Sequence, residues 1–411
     1  MSSNKIYVSL QLEKETCFVG TLWCHRRGAR QSSSFEYNPD WLSHPEKFAL
    51  DPALQLTKGV FHTKSDHVLF GAIGDSAPDR WGRVLMRRAE VARAKELGEA
   101  PRSLSEIDYL LGVNDEARQG ALQFSLGADG GYLAPKDKNT IPPLVNLPRL
   151  LSATERYLND DETAEDLKIL LAPGSSLGGA RPKASIRDQD GHLALAKFSK
   201  KDDEFNVVVW EAVALTLAEK AGIKTAEWRL AQIIGKAVLI TRRFDRQGGR
   251  RIPFLSAMSM LGAKDNEAHS YLEIAYALAQ HGGAPNQDME ELWRRIVFTV
   301  LISNTDDHLR NHGFLYEQNK GWRLSPAYDI NPVPLEVKAR ILSTSINFDN
   351  PTASLDVALS VIDDFRIKKP RALEIIKEVD SAVKSWRSVA KQFGLSQKEI
   401  QRMESAFRRG D

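Results

Sequence analysis

The side chains best suited to chemistry cluster in residues 304–329, NTDDHLRNHGFLYEQNKGWRLSPAYD. Asp306 is followed five positions later by Asn311, and Asp329 comes after a Phe-Leu-Tyr run, an Asn-Lys-Gly turn and a second strand-like run. Phosphoryl transfer needs a carboxylate to accept a hydroxyl proton and oxygen ligands that hold Mg2+ across the phosphates. The segment supplies those groups in that order, with Asp306 as the base and Asn311 and Asp329 as the ligands. Taken singly, Asn304 and Asp306 would equally well bond turn backbone, and Asp329 would simply open a loop. Their joint spacing is what favours chemistry. His308, inside the loop, joins the catalytic set as a hydrogen-bonding support rather than a proton carrier.

The interval from Asp306 to Asn311 is that of the protein-kinase catalytic loop, whose metal-binding Asp also follows a short hairpin. Such chemistry also needs a triphosphate cradle. Gly174-Ser-Ser-Leu-Gly-Gly179, followed by Ala-Arg-Pro-Lys183, offers close backbone approach and cations. It is not a Walker A loop, because Ala180 stands where that motif needs lysine. Gly174, Ser176 and Gly178 also match G-x-S-x-G, the turn of serine hydrolases. That turn requires a strand before the serine and a helix after it, whereas here Pro173 precedes and Pro182 interrupts before an alternating stretch. Downstream, HLALAKF ends near Lys197 and a helical run carries Glu211, a phosphate-holding lysine and its helix glutamate in the order a kinase requires.

These residues need a scaffold, and periodicity indicates one. Residues 5–70 alternate apolar and polar positions between Gly, Pro, Asp and Ser clusters, which predicts a small, mostly β unit. The spacing of Trp81, Val84, Leu85, Val91 and Leu97 predicts a helix from Pro78 to Gly98. Arg80, Arg83, Arg87 and Arg88 lie along it. They read as a solvated face paired to acids, with phosphates of DNA or tRNA as the other reading. A Gly-, Pro- and Lys-rich connector covers 127–148. Strands KASIR and HLALAKF, the helix VVVWEAVALTLAEKAGI and the strands EWRLAQII and AVLITRRF follow. Beyond Pro253 the pattern turns helical, in YLEIAYALAQHG, MEELWRRIVFTVLISN and ALEIIKEVDSAVKSWRSVAKQFG. Ser396 with Glu399 predicts a capping box.

With 411 residues, 42% apolar and 27% charged, the chain suits two or three packed units. Its 56 basic and 54 acidic residues nearly balance, so no overall field calls for nucleic acid. Cys17 and Cys24 are too few for a disulfide scaffold and lack zinc-site spacing, which suits a reducing cytoplasm. The opening MSSNKIYVSLQLEKE lacks a signal pattern, and apolar runs such as VVVWEAVALTLA are short and interrupted by glutamate. Neither export nor a membrane span is expected.

Six stretches then carry a family resemblance: FGAIGDSAPDRWGR at 70–83, DYLLGVNDEARQGALQF at 108–124, SLGGARPKA at 176–184, ITRRFDR at 240–246, NTDDHLRNHGF at 304–314 and LSPAYDI at 324–330. Over nearly its full length the sequence resembles the HipA-type toxin kinases. The resemblance implies an α+β, protein-kinase-like two-lobed fold. Its parts would be an N-terminal subdomain at 1–126, a nucleotide-binding region at 149–255 and a helical lobe at 256–411. It implies ATP with Mg2+ and phosphorylation of a protein serine or threonine, with aminoacyl-tRNA synthetases as substrates in the family. It also implies a type II toxin–antitoxin pairing with a small DNA-binding antitoxin, DNA being reached only through that partner. By position, Lys197 would contact the α- and β-phosphates, and Ser176, Leu177, Gly178, Gly179, Ala180 and Lys183 would form the phosphate loop. Phe244 and Arg242 would lie in the adenine hinge, and Ser176 would be autophosphorylated, with Ser175 beside it as a second choice. Arg181 and Arg242 depart from the residues of many relatives. A serine hydrolase using Ser176 and a silent co-repressor that binds an antitoxin on DNA stay open as alternatives.

Overall fold

The computed structural model describes residues 3–12, 15–28, 30–64, 67–127, 141–171, 179, 181–200 and 202–407. Two compact units form, and they do not follow chain order. Unit 1 comprises Met1–Lys201 and Gln232–Leu255, and unit 2 comprises Asp202–Ala231 and Ser256–Asp411.

In unit 1 the alternating N-terminal pattern becomes an antiparallel sheet. Its strands are β1 (Ser3–Leu12), β2 (Glu15–Arg27), β3 (Arg30–Tyr37), β4 (Val60–His62) and β5 (Leu122–Ser125), in the order β4-β3-β2-β1-β5. Period-two geometry puts Ile6, Val8 and Leu10 on one face, where all three are buried. Cys17 and Cys24 are free thiols on β2.

The helix Arg80–Leu97 starts at Asp79, whose carboxylate accepts the Gly82 N–H at 2.7 Å, and stops at Gly98 in the left-handed region, φ 65°. Its buried face is Trp81, Gly82, Leu85, Met86, Glu90 and Ala94, while Val91 and Leu97, expected inside, are exposed. The helix is turned toward Glu90, whose buried carboxylate accepts from Arg93 and from the Arg102 backbone and guanidinium. Arg83 forms a two-bond pair with Glu106 at 2.6 and 2.7 Å and lies over the Tyr109 ring. Arg88 pairs with Asp160 and Glu162 and lies over Tyr157. These two guanidiniums are engaged by acids, as the solvated-face reading expects.

A second antiparallel ladder in unit 1 joins Lys183–Arg187, Leu193–Lys197 and Lys236–Arg242, with Leu193–Lys197 in the middle.

Unit 2 is predominantly helical. Pro285–Ile302 is buried continuously from Leu292 to Ile302, so it runs through the core instead of lying on it. Val207–Lys220, which carries Glu211, packs against Lys369–Val383 and Trp386–Gln392. There Trp386 stacks on Phe407 with centroids 4.4 Å apart, and Trp210 sits beside both. The chain reaches this helix and leaves it through unit 1 segments, which is why the sequence placed it with the strands around it. Ser396 caps Gln397–Arg402, its hydroxyl accepting the Glu399 N–H, while the Glu399 carboxylate serves the Asn206 N–H. Among the described residues no helix is long and apolar enough to cross a membrane.

Candidate active site

In unit 2 the helix Pro285–Ile302 ends abruptly at Ser303, a non-glycine residue in the left-handed region, φ 51°. Such a conformation is costly for a side-chain-bearing residue. It is held by Ser303 Oγ donating to the Ala406 carbonyl at 2.8 Å. The reversal starts the loop that carries Asp306.

The loop is anchored by its neighbour, Asp307. Asp307 Oδ2 accepts from Tyr271 Oη at 2.5 Å, from His312 Nε2 at 3.1 Å and from Thr299 Oγ1 at 3.5 Å. All four residues are buried. Burial raises the Asp307 pKa, but attraction to His312 and the hydrogen bonds from His312 and Tyr271 outweigh it, so the carboxyl lies below its ordinary value. The same burial, with Asp307 alongside, pushes the Tyr271 hydroxyl well above its ordinary value. Successive residues face opposite ways here. With Asp307 tied down, Asp306 is exposed. Tyr271→Phe removes the shortest of these bonds and is expected to cost about 1.5–3 kcal/mol, the range for a hydrogen bond to a charged group. A lowered denaturation midpoint with an unchanged slope would record it.

Asn311 is buried, and its Nδ2 donates to the Asp306 carbonyl at 3.3 Å, which turns its Oδ1 the other way. A hairpin, Gly313–Glu317 with Gly321–Leu324, pairs Phe314 with Leu324 and leads to Asp329. Ala327 N donates to the Lys224 carbonyl at 2.8 Å and Tyr328 Oη to the Arg310 carbonyl at 2.7 Å. Between these ties and Asn331, Asp329 adopts φ 58°, a strained conformation of the sort that collects at working sites. Asn331 Nδ2 lies 3.5 Å from Asp329 Oδ1, while Asn331 Oδ1 is buried with no hydrogen-bond partner among the described residues. An amide oxygen, a carboxylate and an orphaned acceptor are hard-oxygen groups of the kind Mg2+ takes. Among the described residues no group of three or more His, Cys, Asp or Glu could hold a metal. His308 is half-buried, and its Nδ1 has no hydrogen-bond partner among the described residues.

Unit 1 holds the other expected residues. Ser176, Leu177, Gly178 and Ala180 lie outside the described residues. The flanking elements are the helix Ala164–Leu171 and the strand Lys183–Arg187, the reverse of the strand-then-helix order a hydrolase turn needs. Lys197 ends its strand directly across from Lys183. Two ammonium groups so placed repel. Lys183 is buried and ion-paired with Asp79 at 2.8 Å, so its charge serves the start of the helix Arg80–Leu97. Trp81 ties the same segment: its Nε1 donates to the Lys183 carbonyl at 3.0 Å and its backbone N–H to the Gly179 carbonyl at 3.5 Å.

Arg242 lies 3.8 Å from Asp190, and Phe244, half-buried, lies against Phe254. The turn that carries them is secured by Asp245, which takes Arg243 Nε at 2.6 Å, Arg246 Nη1 at 2.9 Å and the Gly120 N–H at 2.8 Å. Gly120 has φ 73°, and a side chain there would crowd Phe254. The RQGAL and RRFDR motifs are thus halves of one buried ion cluster.

Over 98% of the chain, the fold matches that of the solved structure of a Shewanella oneidensis toxin–antitoxin system, HipA with HipB and its operator DNA. The TM-score is 0.69 with 15% identity, and 95% of that chain is covered. The fold is α+β and like that of the HipA chain, β-rich toward the N-terminus and mostly helical toward the C-terminus. The model of the HipA-like C-terminal domain matches residues 175–386, more than half of the sequence, and the chain belongs to this family. Two curated relatives have names beginning "Putative kinase". One, from Haemophilus influenzae, is 27% identical over 188 residues, 39% of this chain. The other, from Sinorhizobium fredii, is 29% identical over 136 residues, 29% of this chain. The chain spans 54% and 32% of their lengths.

Proposed function

We propose that the chain is an ATP-dependent serine/threonine protein kinase acting as the toxin of a type II toxin–antitoxin pair in the cytoplasm. One observation carries this reading. Asp306 is solvent-exposed, while the neighbouring Asp307 and Asn311 are buried and hydrogen-bonded, so an open carboxylate stands on a rigid loop. That suits a base, which must reach an incoming hydroxyl without losing its orientation. In this role Asp306 takes the proton of a protein serine or threonine as the hydroxyl oxygen attacks the γ-phosphorus of ATP in line, and the bond to the bridging oxygen breaks to release ADP. Asn311 and Asp329 would hold Mg2+, which neutralises charge on the phosphates. Lys197 would contact the α- and β-phosphates. Gly179, with Ser176, Leu177, Gly178 and Ala180, would form the loop around the phosphates, steadied from behind by Lys183. Arg242 and Phe244 would border adenine. His308 supports the loop.

The substrate class is a folded protein, with an aminoacyl-tRNA synthetase as the family's example, and Ser176 is the site of autophosphorylation. A small DNA-binding antitoxin is the expected partner. It is suggested by the HipB and operator DNA named with the Shewanella oneidensis structure. Phosphoproteomics after induction, wild type against Asp306→Asn, tests the whole reading: no wild-type-dependent phosphosite would end it. Asp329→Ala is expected to abolish the Mg2+-dependent part of ATP binding because a metal ligand is lost. Calorimetry with and without Mg2+ measures that directly.

A further inference from the structure

We infer that Lys338 supplies the positive charge beside the reacting phosphoryl group. The assignment rests on the kinase reading above. In phosphoryl transfer, charge spreads over the oxygens of the moving group while the base takes a proton, so a fixed cation near the base stabilises the transition state. The loop's own arginine is engaged elsewhere: Arg310 makes two bonds, of 3.1 and 3.0 Å, to Asp265. Lys338 comes from the segment beyond Asp329. Its Nζ lies 3.9 Å from Asp306 Oδ1, and these side chains are 42% and 75% exposed, open to the same solvent.

The ammonium is not adrift. It donates to the Thr305 carbonyl at 3.0 Å and to Ser343 Oγ at 3.4 Å. The Thr305 carbonyl also accepts the Ser343 N–H at 3.1 Å and the Ser343 hydroxyl at 2.9 Å. Lys338 is therefore held by the residue immediately before Asp306, and the two groups share one support. An ammonium has three donors, and two are spent on Thr305 and Ser343. At 3.9 Å the third makes no hydrogen bond to Asp306. It is left for a phosphoryl oxygen seated against the carboxylate. A pair this exposed contributes little to folding stability, so its replacement should leave the fold intact.

The competing role is a plain tether for the 334–343 segment, and the test separates the two with Lys338→Met, Lys338→Arg and Ser343→Ala in the full chain. If Lys338 acts on the transition state, Lys338→Met should lower kcat by roughly 10²–10³-fold, the loss expected for one preorganised donor. KM for ATP, the affinity for ADP and Tm should stay near wild type. The affinity for ADP with aluminium fluoride, a stand-in for the moving phosphoryl group, should fall in parallel with kcat in calorimetry. Lys338→Arg should restore much of both, and Ser343→Ala should cost far less than Lys338→Met. Unchanged kcat in Lys338→Met would overturn the assignment. So would a joint fall of kcat, ADP affinity and Tm, which marks a tether. Wild-type protein that neither binds ATP nor transfers phosphate would overturn the kinase reading itself, and this assignment with it.

Discussion

Replacing Asp306 by Asn is expected to lower phosphoryl transfer by roughly 10²–10⁴-fold, the usual contribution of a positioned base, with folding and ATP binding unchanged. The side chain is 75% exposed and lies 3.9 Å from the Lys338 ammonium, so the substitution removes no packing. Asn matches Asp in shape but has no lone-pair charge to accept the hydroxyl proton. The Asp307 bonds to Tyr271, His312 and Thr299 stay intact, so the loop keeps its geometry. Intact mass after incubation with ATP and Mg2+ reads the result: one added phosphate at Ser176 in the wild type, none in the variant. Near-normal phosphorylation of Asp306→Asn would remove that residue from the mechanism.

Asp245→Asn is expected to be the most damaging change to stability. Asp245 lies fully buried among Arg243 and Arg246, and Arg118 and Arg251 are close by with Asp115 as their acid. Breaking a buried pair strands the remaining charge and costs about 3–5 kcal/mol. Here two guanidiniums lose their counter-ion together. The denaturation midpoint should fall accordingly, and combining Asp245→Asn with Arg243→Met should recover part of the loss, since one stranded charge then goes too. The pH dependence has the matching sign. Burial raises the Asp245 pKa, but attraction to Arg243 and Arg246 outweighs it, so the folded value lies well below the unfolded value of about 4. The stabilisation is thus fully present above about pH 4 and is lost as pH falls toward the folded pKa. In Asp245→Asn this acid-dependent share should be absent. A variant as stable as wild type at pH 7 would show that the cluster is not the support proposed for the Phe244 turn.

Local chemistry was legible in the sequence wherever it acts over a few residues. The alternation of β1 to β3, the Gly98 end of one helix, the Asn-Lys-Gly reversal at Asn319 and Gly321, and the interval from Asp306 to Asn311 follow from near-neighbour sterics and hydrogen bonding. Partner choice was not legible, because it depends on which distant segments meet. Lys183 reads as a phosphate ligand until Asp79 is found against it. Nothing in the string marks Asp307 as the anchored neighbour of Asp306, yet three side chains from two helices and the loop itself converge on it and leave Asp306 in solvent. Lys338 has no signal at all in its surroundings, since only the folding back of its segment onto Thr305 brings its charge to Asp306. Burial decides the first two cases: a buried charge must find a partner or become very costly, and the partner it finds is fixed by packing across the unit, not by position along the chain.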